Sequence, residues 1–182
     1  GGMPGLQDRP PRSLAMILVY TGEGKGKTCA CIGQALRALG QGMTVAFAQF
    51  MKRDRGAGEQ VMLQRLLGAG FRAGGLGFLR NGKDRPAHRA AALELLAWAT
   101  ERLPAVDMLI LDEALYALGA GILRREELLA VMETSRGLGR HLVLSGRGLP
   151  DWLAANADLV TEMLERKHPW RQGIAAAPGI EF

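Results

Sequence analysis

The segment Thr21-Gly22-Glu23-Gly24-Lys25-Gly26-Lys27-Thr28 carries the clearest chemistry in the chain. Its glycines let the backbone turn tightly, so that successive N–H groups converge on one point. A helix starting behind them adds the positive end of its dipole, and the whole forms a cradle for phosphate. Lys27 supplies a point charge to phosphate oxygens, and the Thr28 hydroxyl is placed to ligate Mg2+. In the usual pattern a glycine stands five residues before the position of Gly26. Here that position is Thr21, and the glycine falls at Gly22. A second polar group closes the apolar run Val106–Leu111, which ends in Asp112 and Glu113. Ligands of an open parallel sheet sit beyond the carboxyl ends of its strands. The two acids are therefore expected beside the loop, where a cation on a triphosphate needs hard oxygen ligands. The expected metal ligands are Thr28, Asp112 and Glu113, and the expected catalytic residues Lys27, Thr28 and Glu113.

These residues need strands and helices to hold them, and the apolar pattern supplies both. Continuous apolar runs of strand length at 14–20, 43–50, 106–111, 141–145 and 158–164 alternate with segments of helical period. That alternation predicts an α/β fold of P-loop, RecA-like type, a mostly parallel β-sheet flanked by helices on both faces. Helices are predicted over 27–39, 59–67, 84–103, 115–120, 124–134 and 149–155. In the long third helix Ala92, Leu95, Leu96, Ala99 and Leu103 fall at core spacing. In the first, Cys29, Ile32, Leu36 and Leu39 form the predicted buried stripe. Ala30, Gly33 and Arg37 form a second face, whose small residues are expected to pack tightly, with Arg37 in reach of a nucleotide. The glycine-rich stretch 68–82 reads as a short strand and a loop, and 167–182 as an irregular tail.

The 182 residues are 48% hydrophobic and 23% charged, which fits one globular domain over residues 14–182. Residues 1–13 read as a flexible segment, with Gly1 and Gly2 before Met3 as a tag remnant. No run approaches the roughly 18 apolar residues of a membrane span. The first residues also lack the apolar core of a secretory signal, so the expectation is a cytoplasmic protein. The net charge is +5 and the pI about 9.7, but the basic residues are scattered among acids and aromatics make up only 5%. An anionic small substrate such as a nucleoside triphosphate accounts for that excess better than nucleic acid does. Cys29 and Cys31, two residues apart on a helix, point to nearly opposite sides and cannot pair; both are expected to be small buried residues.

Several ordered segments resemble one family, the ATP:corrinoid adenosyltransferases. They are the phosphate loop, the run from Gln34 to Gly42, Ala48-Gln49-Phe50-Met51-Lys52, Leu111-Asp112-Glu113, Leu144-Ser145-Gly146-Arg147-Gly148 and Asp158–Met163. The ending Lys167-His168-Pro169-Trp170, Gly173-Ile174 and Gly179-Ile180-Glu181-Phe182 is the most specific piece. The resemblance implies binding of MgATP and of a corrinoid reduced to Co(I), whose cobalt attacks the 5′ carbon of the ribose and releases triphosphate. It also implies a homodimer and an electron-donor flavoprotein as partners.

Carried over by position, the resemblance assigns Gly24, Gly26, Lys27 and Thr28 to phosphate and Arg37 to the nucleotide, and Gly22, Glu23 and Lys25 of the same loop are counted with them as ligand-binding candidates. Asp112 and Glu113 go to magnesium, Gln49 and Lys52 at the end of the second strand to either ligand, and Arg147, at another strand's carboxyl end, is a further binding candidate. Glu23 stands where the family commonly has asparagine. On the corrinoid side the family has a Gly-Phe-x-Trp segment; here it is Gly77-Phe78-Leu79-Arg80, with Phe78 retained and Arg80 in place of the tryptophan. Two other readings use the same loop: a phosphotransferase or ATPase that cuts at the γ-phosphate, and a non-catalytic nucleotide-binding switch.

Overall fold

The computed structural model describes residues 15–53, 57–77, 79 and 84–180. Phe78 and Arg80 lie outside the described residues. Among the described residues six strands, β1 (Ile17–Thr21), β2 (Val45–Gln49), β3 (Phe71–Ala73), β4 (Met108–Asp112), β5 (His141–Ser145) and β6 (Leu159–Glu162), form one sheet. Their order is β3-β2-β4-β5-β1-β6 and every pairing is parallel. The α-helices are α1 (Lys27–Gly40), α2 (Gly58–Leu67), α3 (Arg85–Arg102), α4 (Ala114–Gly119), α5 (Arg125–Gly137) and α6 (Asp151–Asn156).

The strand residues divide between two cores, as the two-residue period of a strand requires. On β4, Met108 and Ile110 face a cluster with Cys31, Ala35 and Ala38 of α1 and Leu63 of α2. Leu109 and Leu111 face the opposite cluster, which holds Ala92, Leu95 and Ala99 of α3 together with Leu128 and Val131 of α5. The apolar residues of β4 are buried on both sides, and each contributes about 1.5–3 kcal/mol. This is the sandwiched parallel sheet that the continuous apolar runs predict. The core spacing of α3 is likewise as predicted, with Leu103 buried in the short 3₁₀ turn that follows.

α1 corrects the sequence expectation. Its buried residues are Lys27, Cys31, Ala35 and Ala38, one face at spacings of four, four and three. Leu36 is 50% exposed and Cys29 is exposed too, whereas Ile32 and Leu39 of the predicted stripe are partly buried against the same cluster. The side of α1 that meets the sheet carries mainly small residues, so Cys31 and the alanines rather than Leu36 set the contact face. The second face also points outward: a Cβ added at Gly33 would meet nothing within 4 Å, and Arg37 is exposed. β6, the edge strand, is exposed along its length.

Candidate functional site

The phosphate loop joins β1 to α1 and is braced from the side by the end of β6. The Met163 N–H donates to the Thr21 carbonyl at 2.9 Å, and the Gly24 N–H to the Met163 carbonyl at 2.8 Å. This bracing explains the shifted glycine. Thr21 is the last, buried residue of β1, whereas Gly22 turns the chain with φ 100° and lies so close that a Cβ there would stand 2.4 Å from the Met163 carbonyl oxygen. Only glycine meets both demands. The first helical bond of α1 runs from the Ala30 N–H to the Gly26 carbonyl. The preceding N–H groups of its first turn have no partner within the helix and point along its dipole. Lys27 bends back over the loop, donating to the carbonyls of Gly22 at 2.7 Å and Gly24 at 2.8 Å. Burial pulls its ammonium below the usual lysine value, against the opposing pull of Glu113.

The carboxyl ends of three neighbouring strands, β2, β4 and β5, meet at Asp112, which is fully buried, and the start of α1 joins them. Ser145, at the end of β5, donates its hydroxyl to Asp112 Oδ1 at 2.6 Å. The Thr28 hydroxyl lies 3.2 and 3.1 Å from the two carboxylate oxygens, and Gln49 Nε2, at the end of β2, donates to Oδ2 at 3.1 Å. Ser145 Oγ also accepts the Glu113 N–H at 3.0 Å. Glu113 adopts φ 62°, a left-handed conformation costly for a residue with a side chain, and so begins α4 with its carboxylate turned toward the loop. Burial, with the neighbouring Asp112 charge second, raises the Glu113 carboxyl above the usual range.

Lys52 reaches the same cluster from the far side of β2. Its ammonium donates to Glu59 Oε1 at 2.9 Å and to Thr28 Oγ1 at 3.3 Å, and stands 3.8 Å from Asp112 Oδ2. Burial disfavours its charge, but Asp112 and Glu59 together carry it above the usual lysine value. Burial pushes Glu59 upward, yet its bond to Lys52 and that ammonium's charge bring it below the usual carboxylate value. Gln60 donates to Gln49 Oε1 at 2.9 Å and fixes the amide that serves Asp112.

A cavity of about 720 Å³ opens over this floor. Of the predicted residues, Glu23, Gly24, Lys25, Gly26, Lys27 and Thr28 line it, and so do Lys52, Glu113 and Arg147. Gly22 turns the loop just behind it. Asp112 and Gln49 sit beneath it, buried, and act on its contents through Thr28 and Lys52. Arg37 does not reach it. Its exposed position on α1 follows from the buried face set by Cys31, Ala35 and Ala38, and the expectation that it contacts the nucleotide has no support in this geometry. At the mouth Arg147 pairs with Glu23 at 3.2 Å, both largely exposed. Glu165, His168, Gly179 and Ile180 bring the tail over the opening.

Three participants have no place in the sequence expectations as site residues. Ser145 was accessible in principle, since it ends a central strand on the ligand side of the sheet. Glu59 and Gln60 gave no signal beyond an acidic first turn of α2, and their role depends on how that helix returns over β2.

A parallel sheet whose first strand runs into a phosphate loop, with a hydroxyl and carboxylates at the next strand ends, defines a P-loop nucleotide-binding α/β protein. Residues 13–182 match the family model for ATP:corrinoid adenosyltransferase BtuR/CobO/CobP, and the chain belongs to that family. It is 36% identical to a corrinoid adenosyltransferase of Pseudomonas aeruginosa over 170 residues, 92% of this chain and 83% of that protein. The corrinoid adenosyltransferase CobA of Salmonella typhimurium is 33% identical over 169 residues, 92% of this chain and 85% of that one. A Sinorhizobium corrinoid adenosyltransferase is 35% identical over 173 residues, 92% of this chain and 80% of its own length.

Proposed function

We propose that this chain transfers the 5′-deoxyadenosyl group of ATP to the Co(I) centre of a corrinoid and releases triphosphate. The observation that carries this reading is the arrangement of Lys27, Thr28 and Glu113 around one cavity in a chain of this family. As the cobalt–carbon bond forms, the bond from C5′ to the triphosphate oxygen breaks and the electron pair leaves with the oxygen. The task of the protein is to hold that departing charge. The loop N–H groups and α1 dipole bind it, and Lys27 exchanges its two loop carbonyls for phosphate oxygens that gain charge as the bond breaks.

The residues fit Mg2+. The Thr28 hydroxyl and Glu113 carboxylate face the cavity as hard oxygen donors, and Asp112 orients Thr28 from beneath. When bound there, the cation disperses charge on the leaving polyphosphate. We place Phe78 and Arg80 on the corrinoid side, together with the tail. A homodimer, a flavoprotein electron donor, a cytoplasmic location and a single nucleotide-binding domain over 14–182 complete the reading. No helix among the described residues is long and apolar enough to cross a membrane.

Products test this reading against phosphoryl transfer. Incubation with ATP, Mg2+ and chemically reduced cobalamin is expected to yield adenosylcobalamin and intact triphosphate, and Lys27→Ala to abolish both while the fold persists. ADP and orthophosphate from the wild type would establish cleavage at the γ-phosphate instead and overturn it.

A further inference from the structure

Lys52 is placed with unusual structural effort. The preceding residue, Met51, is buried and holds φ 60°, a left-handed conformation that an unbranched side chain adopts only when its surroundings impose it. Gly75 presses onto this bend: a Cβ there would lie 2.5 Å from the Lys52 nitrogen, and the Gly75 N–H donates to the Lys52 carbonyl at 2.9 Å. The backbone is thus clamped on both sides, and the side chain is aimed at the floor of the cavity. There the ammonium meets Glu59 Oε1, Thr28 Oγ1 and, at 3.8 Å, Asp112 Oδ2.

The contact with Thr28 has a chemical consequence. The Thr28 hydroxyl gives its proton toward Asp112, so the lone pair it offers to Lys52 is the one a divalent cation would take. Ammonium and metal therefore compete for one donor, and their like charges oppose each other across a partly buried site. We propose that Lys52 is a built-in counter-ion that holds the divalent-cation seat formed by Thr28 and Glu113 over the buried Asp112, and yields it only when nucleotide phosphate arrives. This rests on the reading that Thr28 and Glu113 receive magnesium. The polyphosphate brings the negative charge that lets both cations coexist, with Lys52 swinging from Thr28 while keeping Glu59. The bare protein thereby refuses free metal and accepts it as the nucleotide complex. When triphosphate departs with its cation, Lys52 returns to Thr28 and restores the starting state. Lys52 is a positioning residue in this scheme.

Binding of Mn2+, followed by loss of the free ion's EPR signal, tests the proposal on the intact chain. Nucleotide-free wild type and Lys52→Arg should bind Mn2+ weakly, and nucleotide-free Lys52→Gln about tenfold more tightly or better, because the charge is gone while a donor to Glu59 remains. With ATP present, equilibrium dialysis against an ATP–Mn2+ solution should show Mn2+ retained by all three proteins. Equal nucleotide-free affinity in wild type and Lys52→Gln overturns the proposal, as does a full equivalent of tightly held Mn2+ on the nucleotide-free wild type, a result that needs no variant to fold. Absence of Mn2+ uptake even with ATP bound would overturn the magnesium reading itself and this proposal with it.

Discussion

Two ion pairs flank the same phosphate loop and differ in almost everything else. On one side Lys52 meets Glu59 at 2.9 Å and Asp112 at 3.8 Å, with side chains only 31%, 20% and 0% exposed. On the other, Arg147 meets Glu23 at 3.2 Å with exposures of 58% and 74%. The first set is tied into Thr28, Gln49, Gln60 and Ser145, so that moving one group disturbs its neighbours in turn. The second pair stands in solvent, where such contacts contribute little and are exchanged readily. The difference separates two duties within one site. The buried set fixes where the hydroxyl and carboxylates point, and the exposed set adjusts the charge at the entrance.

If that division holds, the largest effect should come from the centre of the buried set. Asp112→Ala removes the acceptor of Ser145, Thr28 and Gln49 and one of the two carboxylates that face Lys52. Breaking a buried charged cluster from one side costs about 3–5 kcal/mol, and the denaturation midpoint should fall accordingly, with adenosylation lost. A loss below about 1 kcal/mol would mean that the cluster is a surface feature in energetic terms and would break the comparison.

A smaller effect sharpens it through pH. The folded-state pKa of Glu59 is depressed, with burial opposing and the Lys52 bond and charge prevailing. For a depressed carboxylate the added stability is present above the unfolded value, near 4.5, and is lost as pH falls through the lower folded value. Glu59→Gln should therefore lower stability by about 1 kcal/mol at neutral pH. The gap between the two proteins should close on acidification below the unfolded value. A gap independent of pH would show that the Lys52–Glu59 contact is held by shape and not by charge.

The legible and illegible parts of the molecule divide along a similar line. The phosphate loop, the β4 acids and the core face of α3 were readable because each depends on local chemistry or on a period within one element. The buried face of α1 was not. Leu36 suits a stripe by hydropathy, but the sheet accepts Cys31, Ala35 and Ala38, with Ile32 and Leu39 at the margin, and that choice depends on the distance between layers. Glu59 and Gln60 were invisible for a related reason, since their role arises only when α2 folds back over β2. The shifted glycine at Gly22 departs from the phosphate-loop pattern because it packs on Met163, a contact that exists only once β6 lies beside the loop.

The smallest effect is expected at the mouth, and it tests the other half of the division. Glu23 lies on the phosphate loop itself, where a carboxylate repels the incoming triphosphate, and Arg147 offsets that charge from across the opening. Glu23→Asn removes the repulsion and frees Arg147 to meet phosphate. Because the pair is exposed, the denaturation midpoint should shift by no more than the equivalent of about 0.5 kcal/mol. The KM for ATP should nevertheless fall. A unit charge about 7 Å away in water is worth about 0.6 kcal/mol, which corresponds to about a threefold change. High salt should erase most of that gain, since screening acts on exposed charges first. A midpoint that dropped with Glu23→Asn, or a KM that rose, would instead make the Glu23–Arg147 contact a structural tie that the loop needs in order to hold its shape. The entrance would then belong with the buried set.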